Sequence, residues 1–283
     1  MDKMIDLHVH STASDGTYRP EEIIDMAMDS GLCAVAITDH DSIDGVAVAA
    51  EYAKDKDIEF VPGVELSTDH EGKELHVVGL FIDRDNPDMV ESLKNFVRER
   101  DLRNEKMAES LRAEGFDITM ETLEQKYGDG VITRAHFARH LVDSGQVSDK
   151  KEVFAKYLGD GCKCFVDREL IDTCDAIRLI KKAGGCAILA HPVLYKYDDD
   201  SLKRNLKLFI EAGLDGMEVV YSTNTPEDEK KHKKIASELG LLFSGGSDFH
   251  GKNKPDIHLG RGFGQMRVPY EFLEGIKKSV GVK

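Results

Sequence analysis

Two histidines one residue apart, His8-Val-His10, close the first apolar run of the chain, and Asp15 follows five residues later. Residues two apart in a strand face the same side, so His8 and His10 would present two imidazoles to one point. Imidazoles beside a carboxylate are ligands for a divalent metal ion. Similar polar breaks recur along the chain. Thr38-Asp39-His40-Asp41 follows the run Cys33 to Ile37, and Glu65 closes a run that begins near Phe60. Ala190-His191-Pro192 closes Cys186 to Leu189, and Ser247-Asp248-Phe249-His250 follows Leu241 to Ser244. His76 instead opens a run, the one that reaches Phe81. Asp248 and His250 repeat the spacing of His8 and His10.

A single histidine beside a strand is usually a satisfied polar group, so the signal lies in the ensemble: His8, His10, Asp15, His40, Glu65, His76, His191, Asp248 and His250. Nine donors are too many for one ion, since a zinc site takes about four ligands. Two or three divalent ions sharing a bridging carboxylate would use them all. The lack of cysteine in the set argues against a structural zinc knuckle. Mixed imidazole and carboxylate suits manganese, iron or zinc, with manganese the first expectation. Three divalent ions would bring +6 against −3 from Asp15, Glu65 and Asp248, so an anionic ligand, hydroxide or water must complete the charge. A phosphate ester fits that surplus, because ions about 3.5–4 Å apart stabilise both the attacking and the leaving oxygen. The expected reaction is hydrolysis of a phosphoester by a metal-bridging hydroxide. No P-loop or G-x-S-x-G motif supplies a protein nucleophile.

Strand and helix signals alternate around these residues. Strands are expected at Ile5 to Val9, Cys33 to Thr38, Glu59 to Glu65, Leu75 to Phe81, Cys186 to Ala190, Gly216 to Val220 and Leu241 to Ser244. Helices are expected between them: Pro20 to Ser30, Ile43 to Lys54, Pro87 to Glu114, Asp172 to Ala183, Asp200 to Ala212, Pro226 to Leu239 and Tyr270 to Ser279. Short strands separated by helices indicate parallel βαβ units. A doubly wound sheet would gather ligands from the two strands beside its switch point. Ligands from five or six strand ends favour a closed barrel, whose active site lies at the carboxyl ends of the strands. The alternation breaks at about residues 99–167, a charged, mostly helical stretch expected to be an inserted subdomain covering the active site, with 1–98 and 168–283 forming the barrel.

The chain has 283 residues, is 41% hydrophobic and carries a formal net charge of −15. That charge disfavours duplex nucleic acid, which is held through Lys and Arg contacts to phosphates. A small anion can still be drawn to a locally positive site, because fields are screened within about 8–10 Å. No apolar stretch approaches the roughly 20 residues that cross a membrane, and no signal peptide is evident, so the expected location is the cytoplasm. The five cysteines lack paired metal spacing and are expected to be reduced thiols.

His8-Val-His10, Asp15, Thr38-Asp-His40, Gly63-Val-Glu65, His76, Ala-His191-Pro and Gly-Ser-Asp248-Phe-His250 together resemble the PHP family, named for its polymerase and histidinol phosphatase members. The resemblance covers nearly the whole chain. It implies a distorted (β/α)7 barrel with a trinuclear metal site and the activity of a phosphoric ester hydrolase. Carried over by position, His8, His10, Glu65 and Asp248 would hold one ion. Glu65, His76 and His191 would hold a second, and Asp15, His40 and His250 a third. Asp15, His40, Glu65, His191, Asp248 and His250 would be the catalytic set. Val193 departs from the glycine often found after this His-Pro, which bears on the shape of that loop.

Within the insertion, Thr133 is a good N-cap and places Arg134 and His136 in the first turn of a helix. An arginine at a helix N-terminus is an anion site, but spacing alone favours a solvated basic face. In the PHP subgroup with an insertion here, a similar Arg-x-His holds a substrate phosphate, which implies that role for Arg134 and His136. Arg139 is offset from Arg134. That subgroup resembles phosphatases of nucleoside 3′,5′-bisphosphates, acting on the 3′-phosphate, some of which also trim short RNA from the 5′ end. The partner expected is thus a small phosphorylated nucleotide or short single-stranded RNA. A 5′–3′ exoribonuclease, a histidinol phosphatase and a non-catalytic metal-binding module are the alternatives. Tyr221 and Asn224 could meet a base or ribose or be plain loop polarity. The general acid for the leaving group is not identified.

Overall fold

Short apolar strands alternate with helices through the first of two compact units, Met1–Glu91 with Leu170–Lys283; the second unit is Ser92–Glu169. The computed structural model describes residues 3–128 and 130–282. In the first unit β1 (Met4–Asp6), α1 (Pro20–Asp29), β2 (Leu32–Ile37) and α2 (Asp44–Ala53) lead to the hairpin of β3 (Glu59–His70) and β4 (Lys73–Leu80). Helix α3 (Pro87–Ala113) carries the chain into the second unit, which contains α4 (Met120–Tyr127), α5 (Arg134–Asp143) and α6 (Lys150–Val153). The first unit resumes with β5 (Ile171–Asp172), α7 (Thr173–Lys182), β6 (Cys186–Leu189) and α8 (Asp199–Ala212). It finishes with β7 (Gly216–Tyr221), α9 (Pro226–Leu239), β8 (Leu242–Gly246), β9 (Val268–Pro269) and α10 (Tyr270–Val280).

The sheet order is β8-β7-β6-β4-β3-β2-β1-β9, with β5 pairing β3. β1, β2 and β3 pair in parallel, as do β6, β7 and β8, while β4 is antiparallel to both β3 and β6. The chain just beyond β1 then meets the chain at and beyond β8. Leu7 N donates to Gly245 O at 3.2 Å, Asp248 N to His8 O at 2.8 Å and His10 N to Phe249 O at 3.0 Å. Among the described residues, β1 to β4 and β6 to β8 thus form the wall of a distorted (β/α)7 barrel, the expected fold class. Closure depends on a glycine: a Cβ on Gly246 would lie 2.3 Å from His8 Cβ and 2.5 Å from His8 N. Ile5, Val35, Val61, Val77, Ile188 and Val219, all on strands of this wall, are fully buried. Burial of each such side chain is worth about 1.5–3 kcal/mol.

Two strand ends beside the ligands differ from expectation. β1 stops at Asp6 rather than Val9, because beyond it the ladder gives way to an isolated Val9–Phe249 bridge. β3 runs past Glu65 to His70, because β4 pairs with it antiparallel from His70–Lys73 up to Gly63–Leu80. The two-residue turn Glu71-Gly72 has φ of 54° and 79°, the positive values that a tight hairpin needs. The reversal also explains His76: the start of an antiparallel strand lies at the end where its parallel neighbours finish.

The second unit buries a core of its own from Met107, Leu111, Ile118, Leu123, Phe137, Leu141 and Leu158. No helix among the described residues is long and apolar enough to cross a membrane.

Candidate metal centre

Glu65, carried by β3, is 1% exposed and lies at the centre of the site. Five imidazoles point at its two oxygens. His8 Nε2, His10 Nε2 and His40 Nδ1 lie 3.2, 3.2 and 3.1 Å from Oε2. His76 Nδ1 and His191 Nε2 lie 2.9 and 3.0 Å from Oε1. Asp248 Oδ1 is 3.3 Å from both His10 Nε2 and His250 Nδ1, and Asp15 Oδ1 is 3.1 Å from His250 Nε2. All nine side chains singled out in the sequence therefore converge. They fall into overlapping groups able to hold an ion: His10, Asp15, His40 and His250; His8, Glu65 and His191; His8, His10 and Asp248; and His40, Glu65 and His76. His40 and His76 are half-buried and the other seven are buried, so the group has a polar mouth and a closed floor.

The donors fit divalent cations. His8 Nε2, both ring nitrogens of His10, His40 Nδ1 and Glu65 Oε2 are buried and make no hydrogen bond. Such groups are costly in a folded interior unless something positive completes them. Three nitrogens around one carboxylate oxygen have the geometry of shared ligation rather than of a hydrogen-bond network. Electrostatics agree. Burial opposes ionisation of Glu65, yet His8, His40 and His76 hold its carboxyl well below the usual range. Burial likewise works against the cationic form of His10, but Asp248 and Glu65 raise it to about 9, and Glu65 raises His76 to about 10. Without metal the carboxylates thus recruit protons as their counter-charge. His40 goes the other way, to about 3, because burial dominates.

The strand-end loops are held by buried acids that sequence reasoning missed. Asp6, on β1, accepts hydrogen bonds from Ser247 N at 2.9 Å, Ser247 Oγ at 2.5 Å, Gly260 N at 2.7 Å and His8 N at 3.3 Å. It thereby ties the His8 segment to the Asp248 segment. Asp39 accepts from Ser11 N at 2.8 Å and from the hydroxyls of Ser11 and Ser14, each at 2.6 Å, which shapes the turn leading to Asp15. Tyr221 Oη and Lys254 Nζ both bind Asp248 Oδ2, at 2.7 and 2.6 Å, and leave Oδ1 toward the imidazoles. For Asp6 the usable signal was an acid inside an otherwise apolar run. Asp6→Ala is expected to destabilise the protein by about 3–5 kcal/mol, because four donors lose one acceptor. A denaturation midpoint and slope equal to the parent's would contradict this.

Asp41, His191 and Asp248 have positive φ of 51°, 27° and 56°. Such backbone persists where the surroundings over-determine it, and it clusters at functional sites. Pro192–Tyr195, the loop holding Val193, is a short 3₁₀ turn, and Tyr195 Oη accepts from His76 N at 2.8 Å. Asn224 Nδ2 donates to Val219 O at 3.1 Å.

In the second unit Thr133 caps α5, its hydroxyl accepting from Ala135 N, so Arg134 and His136 lie in the first turn. Arg134 Nη1 pairs with Asp160 Oδ1 at 2.9 Å and lies over the Phe165 ring. His136 is buried, and its Nδ1 accepts from Thr133 N at 3.0 Å. Arg139 pairs with Asp143 at 3.4 Å.

The sequence model of the PHP domain matches residues 6–220. The chain is 40% identical over 250 residues to the 3′,5′-nucleoside bisphosphate phosphatase of Chromobacterium violaceum, covering 87% of each chain. It is 38% identical over 250 residues to the 5′-3′ exoribonuclease of Haemophilus influenzae, covering 88% of this chain and 91% of that one. Its fold matches the structure of an amidohydrolase from Chromobacterium violaceum with bound sulfate, at TM-score 0.86 and 36% identity over 96% of both chains.

Proposed function

The chain belongs to the PHP domain family and is a phosphoesterase, and from that premise we propose that it removes the 3′-phosphate of nucleoside 3′,5′-bisphosphates. The observation that carries the metal chemistry is the convergence of five imidazoles on Glu65. The bisphosphate reading rests on the similarity to the Chromobacterium violaceum phosphatase together with Arg134 at a helix N-terminus.

We assign His8, His10, Glu65 and Asp248 to one ion, Glu65, His76 and His191 to a second, and Asp15, His40 and His250 to a third, with manganese the first choice. When bound, such ions supply Lewis-acid stabilisation of phosphoryl charge and activate the attacking water at neutral pH. The residues of the chain do the rest. Glu65 offers one oxygen to each of two groups of imidazoles and so fixes their spacing. Asp248, with one oxygen held by Tyr221 and Lys254, presents the other in a single orientation. The buried floor of His8, His10 and His191 keeps bulk water from the donors, while half-buried His40 and His76 border the side a phosphate approaches. Arg134 and His136, in the first turn of a helix of the inserted helical subdomain, receive the 5′-phosphate. The location proposed is the cytoplasm.

The second reading, 5′-3′ exoribonuclease on short RNA, is favoured by the Haemophilus influenzae relative. Adenosine 3′,5′-bisphosphate, a short 5′-phosphorylated oligoribonucleotide and histidinol phosphate, offered separately to manganese-loaded protein, separate the readings. Fastest release of phosphate from the bisphosphate is the expected result; progressive mononucleotide release at a higher kcat/KM would replace it with the second reading.

Arg134→Ala is expected to lower kcat/KM on the bisphosphate about 10- to 100-fold, the loss of a charge-assisted hydrogen bond worth about 1.5–3 kcal/mol. Bound metal should be unchanged, and a nucleoside 3′-monophosphate should be affected far less. Equal losses on both substrates would remove Arg134 from the phosphate clamp.

A further inference from the structure

Glu218 is 1% exposed, lies in the middle of β7 and takes no part in the donor set described above. Its two oxygens serve two of the ligands. Oε1 lies 2.9 Å from His8 Nδ1, and Oε2 accepts from the backbone N of His191 at 2.6 Å. His8 and His191 follow different strands, and both turn their Nε2 atoms toward Glu65.

The strand is built to permit this. Glu218 and Tyr221 are three residues apart, so in a regular strand their side chains would face opposite sides. The β7–β8 register slips between Glu218 and Val220. That bulge lets both residues serve the same site, Glu218 toward His8 and Tyr221 toward Asp248 Oδ2 at 2.7 Å. Bulges re-aim side chains in this way beside active sites. Gly245, which pairs with Val220, accommodates it: a Cβ there would lie 2.6 Å from Val220 O.

We propose that Glu218 is a positioning residue that fixes the tautomer of His8 and the backbone of His191, so that both offer Nε2 to the metal centre. An ionised carboxylate only accepts hydrogen bonds. His8 must therefore carry its proton on Nδ1, which leaves the Nε2 lone pair for an ion. The second oxygen of the same carboxylate anchors His191 N at a residue whose φ is 27°. One side chain thus sets two ligands from two strands at once. A histidine ligand oriented by a carboxylate on its far nitrogen is a general means of tuning metal affinity.

Glu218→Gln tests this with almost no change of shape. If the amide oxygen stays on His191 N, the amide NH2 faces His8 Nδ1 and moves the histidine proton to Nε2. If the amide turns over, its NH2 meets the His191 N–H, donor against donor. Neither orientation preserves both ligands. The inference rests on the metal reading above, so wild-type protein is titrated with zinc first, by competition with a chromophoric chelator.

Glu218→Gln is expected to bind zinc about 10- to 100-fold more weakly, while keeping a cooperative melt and the parent circular dichroism when stripped of metal. Equal zinc affinity in variant and parent would overturn the proposal and leave the metal reading standing. A wild-type protein that takes up no zinc would overturn both. If the variant does not fold, long-range ¹H–¹⁵N spectra of zinc-loaded wild type decide: a proton on Nδ1 of His8 supports the proposal, and a proton on Nε2 overturns it.

Discussion

Glu65→Gln is expected to lower kcat/KM on the preferred phosphoester by more than the ~10- to 100-fold typical of residues that merely orient ligands, and to lower bound divalent metal with it. Both oxygens of Glu65 are surrounded by imidazole nitrogens at 2.9 to 3.2 Å. An amide replaces one of those oxygens by a group that cannot ligate and that donates toward nitrogens needing their lone pairs. The substitution keeps the volume and so creates no cavity. Metal analysis beside steady-state kinetics checks it. A variant with full metal occupancy and the parent rate would show that the carboxylate is not the hub of the site.

Metal removal should have the other large effect. An ion that binds the folded state alone stabilises it by about 4.1 kcal/mol when present at 1,000 times its Kd. For a domain of 150–250 residues each kcal/mol shifts Tm by about 2–4 °C. Stripping with a chelator is therefore expected to lower Tm by about 8–16 °C. The gap should widen as pH rises from 6.5 toward 9. His10 and His76 are raised from 6.5 to about 9 and about 10 in the metal-free fold. Between those values the metal-free native state holds protons that the unfolded chain has lost. Its stability thus declines with rising pH, and protons compete less with the ion. Thermal melts with manganese and with chelator at three pH values measure this. Identical curves would mean that the cluster of imidazoles is held by its own hydrogen bonds and needs no cation.

The donor set was legible because metal ligands must be specific residue types at strand ends, and nine such positions stood out against apolar runs. His76 looked irregular only because the reading assumed parallel strands. The Glu71-Gly72 turn reverses β4 and brings its start to the ligand end. Barrel closure was inferred from the spread of ligands, but the short β1 and the contact between Gly246 and His8 were not visible, since close approach of two backbones leaves no periodic pattern. The bulge in β7 was hidden for the same reason. Counting by twos assigns Glu218 and Tyr221 to opposite faces, and only the extra residue brings them to one site. Asp6, Asp39 and Glu218 were not singled out, although a buried carboxylate has to find donors somewhere.

The seam where the segment after β1 meets the segment after β8 has a consequence for biosynthesis. His8 and His10 are synthesised more than two hundred residues before Asp248, His250 and the backbone partners Gly245 and Phe249. Until then the nascent chain carries an unzipped edge and a half-made chelate. A truncated product ending before the seam would therefore lack both the backbone bonds that close the wall and two of the nine side chains that converge on the site.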